Sequence, residues 1–291
     1  MITSDNITLA NGVAMPVLGL GTWLLNDEET AEAVRCAVSS GYRHIDTAQA
    51  YGNEAGVGEG VRTCGIPREE LFVTTKVAAE HKSYETAAAS IDDSLDSLAA
   101  AGLDYFDLVI IHSPQPWVEV NQSDDRHFEG NRETWRALED ALEAGKVRAI
   151  GVSNFQQADL ENILAACRVK PMVNQVLAHV GNTPFALIDW CQERGIAVEA
   201  YSPVAHGAVL GNPEVAAIAD KYGVNTAQLC IRYCLQLGLA ALPKTANPEH
   251  IRDNAEVDFM IEEGDLDALR RVAPVTDYGA ANGFPVYGGK L

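Results

Sequence analysis

"VLGLGTW", Val17 to Trp23, is the point at which the choice of architecture turns. It reads as a short apolar strand carrying Gly19 and Gly21, and Trp23-Leu24 follows where a dinucleotide-binding G-x-G-x-x-G turn needs its third glycine. An open, doubly wound sheet is thereby disfavoured. Seven similar runs follow: "YRHIDT" (42–47), "LFVTTK" (71–76), "FDLVIIH" (106–112), "VRAIGVSN" (147–154), "MVNQV" (172–176), "AVEAYSP" (197–203) and "ALPKT" (241–245). Each is nearly continuous in apolar residues rather than alternating, as parallel strands covered on both faces are. Between them the apolar residues take helical spacing: Ile91, Leu95 and Leu98; Trp135, Leu138 and Leu142; Leu160, Ile163, Leu164 and Cys167. Eight strand–helix units predict an α/β fold, a (β/α)8 TIM barrel. Upstream, "ITLANGVAMP" holds Asn11-Gly12, a strong hairpin signal. That N-terminal β-hairpin is expected to plug the barrel bottom, the whole chain 1–291 forming one domain.

The composition narrows the partners. A formal net charge of −20 argues against nucleic acid, and no apolar run approaches the ~20 residues of a membrane helix. The first twelve residues lack the basic start and apolar core of a signal peptide, which predicts a cytoplasmic protein. The six cysteines show neither a CxxC pair nor metal-finger spacing. Cys36 and Cys167, within helical patterns, are expected to be buried free thiols; Cys230 and Cys234, four apart, are expected to share a helix face.

In a (β/α)8 barrel the active site lies at the C-terminal ends of the strands. Those ends carry Asp46, Lys76, His112, Ser153-Asn154, Gln175, Tyr201-Ser202 and Lys244-Thr245, with Tyr51 five residues beyond Asp46. Singly, each has an ordinary explanation: a helix cap, a snorkelling lysine, a core histidine. Together they form a site. A phenol titrates near ~10, an adjacent ammonium is expected to lower it, and a carboxylate holds that lysine charged and oriented. A histidine then positions a carbonyl oxygen. These four groups protonate an oxygen but attack no carbon, so a hydride-donating cofactor is implied.

The blocks "GYRHIDTAQAYGNE", "VIIH", "IGVSNF", "NQV", "AYSP" and "LPKTANPEHIRDN" resemble, in order, those of the aldo-keto reductase superfamily, most closely its bacterial diketogluconate reductase-like branch. The resemblance covers essentially the whole chain. It implies NADPH-dependent reduction of small aldehydes, dicarbonyls or keto-sugars without metal, with NADH as a weaker alternative, by a monomer. Carried over by position, Tyr51 is implied as general acid tuned by Lys76 and Asp46, with His112 orienting the carbonyl. Tyr201 is implied to stack on the nicotinamide, and Ser153, Asn154 and Gln175 to bind its carboxamide. Ser202, Pro203 and Val204 would follow the pyrophosphate, and Thr22 would also touch cofactor. Lys244 and Thr245 would meet the 2′-phosphate, with His250 beside them and Asn254 near the adenine. Trp23 and Trp117 are expected to wall the substrate pocket.

Two departures stand out. His250 replaces an arginine common in the family, which predicts weaker discrimination against NADH. Ser113 follows His112 where relatives often carry Trp, leaving Trp117 to fill that wall. The loop 113–131 and the tail 274–291 are expected to shape the pocket, with Tyr278, Phe284 and Tyr287 either closing over the substrate or anchoring the tail. Two rivals remain at this stage: a cofactor-binding regulatory module of the same fold with little turnover, and a lyase using Lys76 or Lys244 as a Schiff-base amine.

Overall fold

The structure, a computed structural model, describes residues 1–99, 101–120 and 122–287. Strands β1 (Asn6–Thr8) and β2 (Ala14–Pro16) pair antiparallel about a turn in which Gly12 takes φ +87. Eight parallel strands follow: β3 (Gly19–Gly21), β4 (His44–Asp46), β5 (Phe72–Val77), β6 (Phe106–Ile111), β7 (Val147–Ser153), β8 (Val173–Leu177), β9 (Ala197–Tyr201) and β10 (Ala240–Leu242). They pair in chain order. The ring is completed by bridges from Leu18 to Ala241 and from Gly21 to Lys244. Gly19 is required at that closure, because a Cβ there would meet Leu242 Cδ2 at 2.6 Å and His44 Cγ at 2.9 Å.

The hairpin lies across the N-terminal ends of the strands. Pro16 O reaches His44 Nδ1 at the start of β4, and Asn11 Nδ2 donates to Arg148 O at the start of β7. Met15 and Leu9 are buried in the core. Plugging one end leaves the other free for chemistry.

Ten helices are present among the described residues: α1 (Asp27–Ser39), α2 (Glu54–Thr63), α3 (Tyr84–Ala99), α4 (Phe128–Glu143), α5 (Gln157–Leu164), α6 (Phe185–Gln192), α7 (Pro213–Tyr222), α8 (Thr226–Gln236), α9 (Pro248–Ala255) and α10 (Glu263–Arg270). None is long and apolar enough to cross a membrane. Their buried faces follow the expected spacing, with Ile91 and Leu98 on α3, Trp135 and Leu138 on α4, and Leu160 and Ile163 on α5. Fully burying each such side chain contributes ~1.5–3 kcal/mol.

Three boundaries differ from the sequence reading. α5 stops at Leu164, so Cys167 lies past the helix end and is half-buried, as Cys36 is. The pattern overran because helical spacing carries no stop signal of its own here. Cys230 and Cys234 do share the buried face of α8. Phe128 to Asn131 form the first turn of α4, which shortens the loop expected at 113–131; Asn121 lies outside the described residues. The tail forms two short 3-10 turns, Gly279–Gly283 and Pro285–Tyr287, and its last four positions lie outside the described residues.

Candidate active site

Asp46 ends β4, Lys76 is the penultimate residue of β5, and His112 follows β6 directly. Parallel pairing brings these ends together around the barrel mouth. Lys76 is fully buried; its ammonium donates to Asp46 Oδ1 at 2.6 Å and to Thr47 O at 2.8 Å. A buried lysine survives as a cation only with such partners. Asp46 Oδ2 accepts from Gln175 Nε2 at 2.8 Å, and the same amide nitrogen donates to Glu199 Oε2 at 2.9 Å. Thr22, also buried, donates its hydroxyl to Asp46 O at 3.0 Å and so fixes the strand end.

Tyr51 closes a 3-10 turn, Gln49–Tyr51, that Gly52 ends in the left-handed region at φ +67. This turn folds the phenol ring back over the mouth. Lys76 Nζ lies 5.0 Å from its centroid, and the His112 ring lies 5.7 Å away at 72°. His112 Nδ1 is buried without a hydrogen-bond partner among the described residues. Trp117 meets the His112 ring edge-on at 4.9 Å, filling the wall beside Ser113.

The other half of the mouth is a chain of hydrogen bonds. Ser153 Oγ donates to Gln175 O, Asn154 Nδ2 to His112 O, and the Tyr201 hydroxyl to Asn154 Oδ1, at 2.9, 3.0 and 2.8 Å. Asn154 and Ser202 sit at φ +61 and +53, a region non-glycine residues enter only when neighbours hold them there. Between the two halves lies a cavity of about 390 Å³. Asp46, Tyr51 and His112 face it, whereas Lys76 stands behind them, out of contact with it.

A model of the aldo/keto reductase family matches residues 17–273. The chain belongs to the aldo/keto reductase family. Glyoxal reductase of Bacillus subtilis is 42% identical over 281 residues, spanning 94% of this chain and 96% of that protein. An aldo/keto reductase from Brucella melitensis superposes with a TM-score of 0.84 at 37% identity, over 92% of this chain and 98% of that one. A Bombyx mori aldo-keto reductase crystallised in complex with NADP gives 0.84 at 31% identity, over 98% and 99%. This aldo/keto reductase is accordingly an oxidoreductase that acts on small carbonyl compounds with a nicotinamide cofactor.

The remaining expected residues divide into two groups. Trp23, Trp117, Ser202, Pro203, Val204 and Lys244 all line the cavity. Thr245, His250 and Asn254 stand apart from it, around and along α9. Thr245 Oγ1 accepts from Asn247 N at 3.0 Å, Asn247 caps α9, His250 is exposed in the first helical turn, and Asn254 is buried.

The donor set suits a dinucleotide phosphate. In a chain of net charge −20, Lys244 stands exposed at the cavity edge, a cation just ahead of α9, whose first N–H groups are already taken up by the Asn247 cap. Both amide hydrogens of Gln175 are engaged inward, leaving its carbonyl oxygen as an acceptor.

His206 was missed at the sequence level as a residue of the mouth. His206 lies at φ +52 with Nε2 3.1 Å from Ser202 Oγ. Phe284 meets Trp23 edge-on at 4.7 Å, and the Tyr287 hydroxyl lies 2.9 Å from Ser202 Oγ. Tail aromatics thus serve both expected purposes: Phe284 and Tyr287 close the cavity, while the Tyr278 hydroxyl anchors the tail on His179 Nε2 at 3.1 Å.

The expected effect of Lys76 on the phenol is overturned. Burial, then the negative charge of Asp46, holds the Tyr51 phenol well above its ordinary 10.0. Asp46 neutralises the ammonium at contact distance, so desolvation dominates. Burial and Lys76 hold the His112 imidazole well below 6.5. Near neutral pH both groups are therefore uncharged and able to donate.

Burial likewise holds His44 and His179 at about 4. A histidine whose folded-state pKa is depressed adds stability at neutral pH and loses it as pH falls from 6.5 through about 4. The thermal unfolding midpoint is expected to fall over that window, less steeply in His179→Gln. A variant as acid-sensitive as the parent would contradict the assignment.

Proposed function

We propose that this chain reduces small aldehydes, dicarbonyls or keto-sugars to alcohols with NADPH, as a single-domain monomer, and that Tyr51 is the proton donor. The observation that carries the reading is the uncharged Tyr51–His112 pair facing the cavity in front of the buried Lys76–Asp46 pair. NADPH, when bound, supplies the hydride. His112 donates an N–H to the carbonyl oxygen and orients it. Tyr51 gives its phenolic proton to that oxygen as negative charge develops there, since an alkoxide is far more basic than a phenolate. Lys76, 5.0 Å from the ring, stabilises the phenolate left behind, and Asp46 keeps the lysine charged and fixed.

Ser153, Asn154 and Gln175 hold the carboxamide, and Tyr201 supports the nicotinamide ring. Thr22 and Ser202 to Val204 line the pyrophosphate, Lys244 and Thr245 take the 2′-phosphate, and Asn254 lies by the adenine. Trp23 and Trp117 wall the substrate end. The glyoxal reductase relative favours dicarbonyls among the substrates.

The test is the initial rate of NADPH consumption, and of NADH consumption, across these three carbonyl classes. Turnover fastest with NADPH on dicarbonyls is expected. Tight nucleotide binding without turnover on any carbonyl would overturn the reading. His250 bears on the cofactor. An imidazole offers phosphate a single N–H at a time, whereas arginine stays charged and pairs with phosphate bidentately. His250→Arg is expected to raise the NADPH/NADH ratio of kcat/KM about 10-fold, the scale of one charge-assisted hydrogen bond. An unchanged ratio would remove His250 from the 2′-phosphate site.

A further inference from the structure

We infer that Glu199 is a positioning residue that works as a neutral carboxylic acid, locking the Gln175 amide so that its carbonyl oxygen faces the cavity. The inference builds on the proposed nicotinamide site. Glu199 is the central residue of β9, in the otherwise uncharged run Ala-Val-Glu-Ala-Tyr, and is fully buried. Its Oε2 accepts from Gln175 Nε2 at 2.9 Å. Its Oε1 has no hydrogen-bond partner among the described residues and lies 3.7 Å from His44 Nε2.

The His44 ring settles where the proton is. Nδ1 lies 3.3 Å from the Pro16 carbonyl, an atom that only accepts, so Nδ1 carries the hydrogen. In the neutral ring Nε2 is then a bare lone pair, accepting from the Thr74 hydroxyl at 3.0 Å. An ionised Glu199 would set Oε1 beside that lone pair with no donor among the described residues. A carboxylic acid there carries no charge that a donor must meet. Burial and the charge of Asp46 push the Glu199 carboxyl up to about 8, and burial keeps the His44 ring neutral, in agreement with the geometry.

The charges around Glu199 close the argument. His44 and Asp46 face it from β4, Lys76 from β5 and Gln175 from β8, with Asp107 of β6 acting on His44; β10 presents only alanines and a leucine. Asp46 and Lys76 cancel. A second carboxylate would leave this buried cluster net negative behind Tyr51, at a heavy desolvation cost. Held neutral, Glu199 still accepts one amide hydrogen of Gln175 while Asp46 takes the other at 2.8 Å. The amide cannot flip, so the cavity meets an acceptor matched to a primary-amide N–H.

Two measurements test this. Infrared difference spectra of the ligand-free protein, wild type minus Glu199→Gln in D2O at neutral pH, are expected to contain a carboxylic-acid C=O band. Carboxylate bands alone would overturn the protonation state. For positioning, Glu199→Ala is expected to weaken NADPH binding about 10-fold, the cost of one buried partner lost, with the carbonyl KM held. Glu199→Gln, which keeps an uncharged acceptor toward Gln175, is expected to recover most of that loss. Equal losses in both variants would sink the proposal. Thermal stability gives a third reading. An acid whose folded pKa is raised loses stability as pH climbs from its unfolded value of ~4.3 toward about 8. The midpoint of Glu199→Gln should therefore gain on wild type across that range. Wild type that binds no NADPH would overturn the proposed function, whereas the infrared band tests Glu199 on its own.

Discussion

Tyr51→Phe is expected to lower kcat for carbonyl reduction by ~10²–10⁴, the range that a positioned general acid contributes. The substitution removes only the hydroxyl. The ring keeps its place over Lys76 Nζ at 5.0 Å and beside His112 at 5.7 Å, so the mouth should not collapse. Nucleotide affinity is expected to stay within about 3-fold, because the phenol serves the oxygen of the substrate rather than the cofactor. The pH profile adds a check. With the phenol held well above 10.0, wild-type reduction should show no loss from Tyr51 ionisation up to pH 10. A phenylalanine variant that retains turnover would move the proton source elsewhere, with His112 the next group to examine.

The second large effect is on Lys76→Met. The methionine matches the aliphatic stem but leaves Asp46, 4% exposed, without its cation. Breaking a buried pair by removing one partner costs ~3–5 kcal/mol of folding stability. Gln175 Nε2 still donates to Asp46 Oδ2, which places the expected loss toward the lower end. Activity should fall further than stability explains, since the phenolate formed at Tyr51 loses its neighbouring charge. The double variant Asp46→Asn/Lys76→Met is expected to regain most of the stability and none of the activity. Urea unfolding and steady-state rates on the three proteins measure both quantities. A single variant as stable as wild type would show that the pair is not a buried ion pair in solution.

The barrel was legible because its signals are local. Apolar runs that end in polar residues predicted every strand from β3 to β10, and Asn11-Gly12 predicted the hairpin. Asp46, Tyr51, Lys76 and His112 were legible because each sits at or just past a strand end, where topology alone dictates convergence. What escaped depends on contacts between distant positions. Glu199 is conspicuous in "AVEAY", but its partner Gln175 and their common neighbour Asp46 come from different strands, the latter two 129 residues apart. No periodicity reveals such a link. The sign of the phenol shift was missed for a related reason: residue types suggested a free ammonium, whereas burial of the phenol dominates and Asp46, 2.6 Å from the ammonium, offsets part of its field. His206 was invisible because irregular backbone, with Ala205 and His206 both at positive φ, brings it over the mouth, where it meets the Tyr287 ring expected there from the tail.

The most direct test follows the hydrogen itself. NADPH deuterated at both C4 positions would be incubated with a dicarbonyl and the enzyme, and the alcohol product analysed by proton and deuterium NMR. The account predicts one deuterium on the new carbinol carbon with wild type, and no labelled alcohol with Tyr51→Phe over the same time. Alcohol formed without deuterium at that carbon would contradict it.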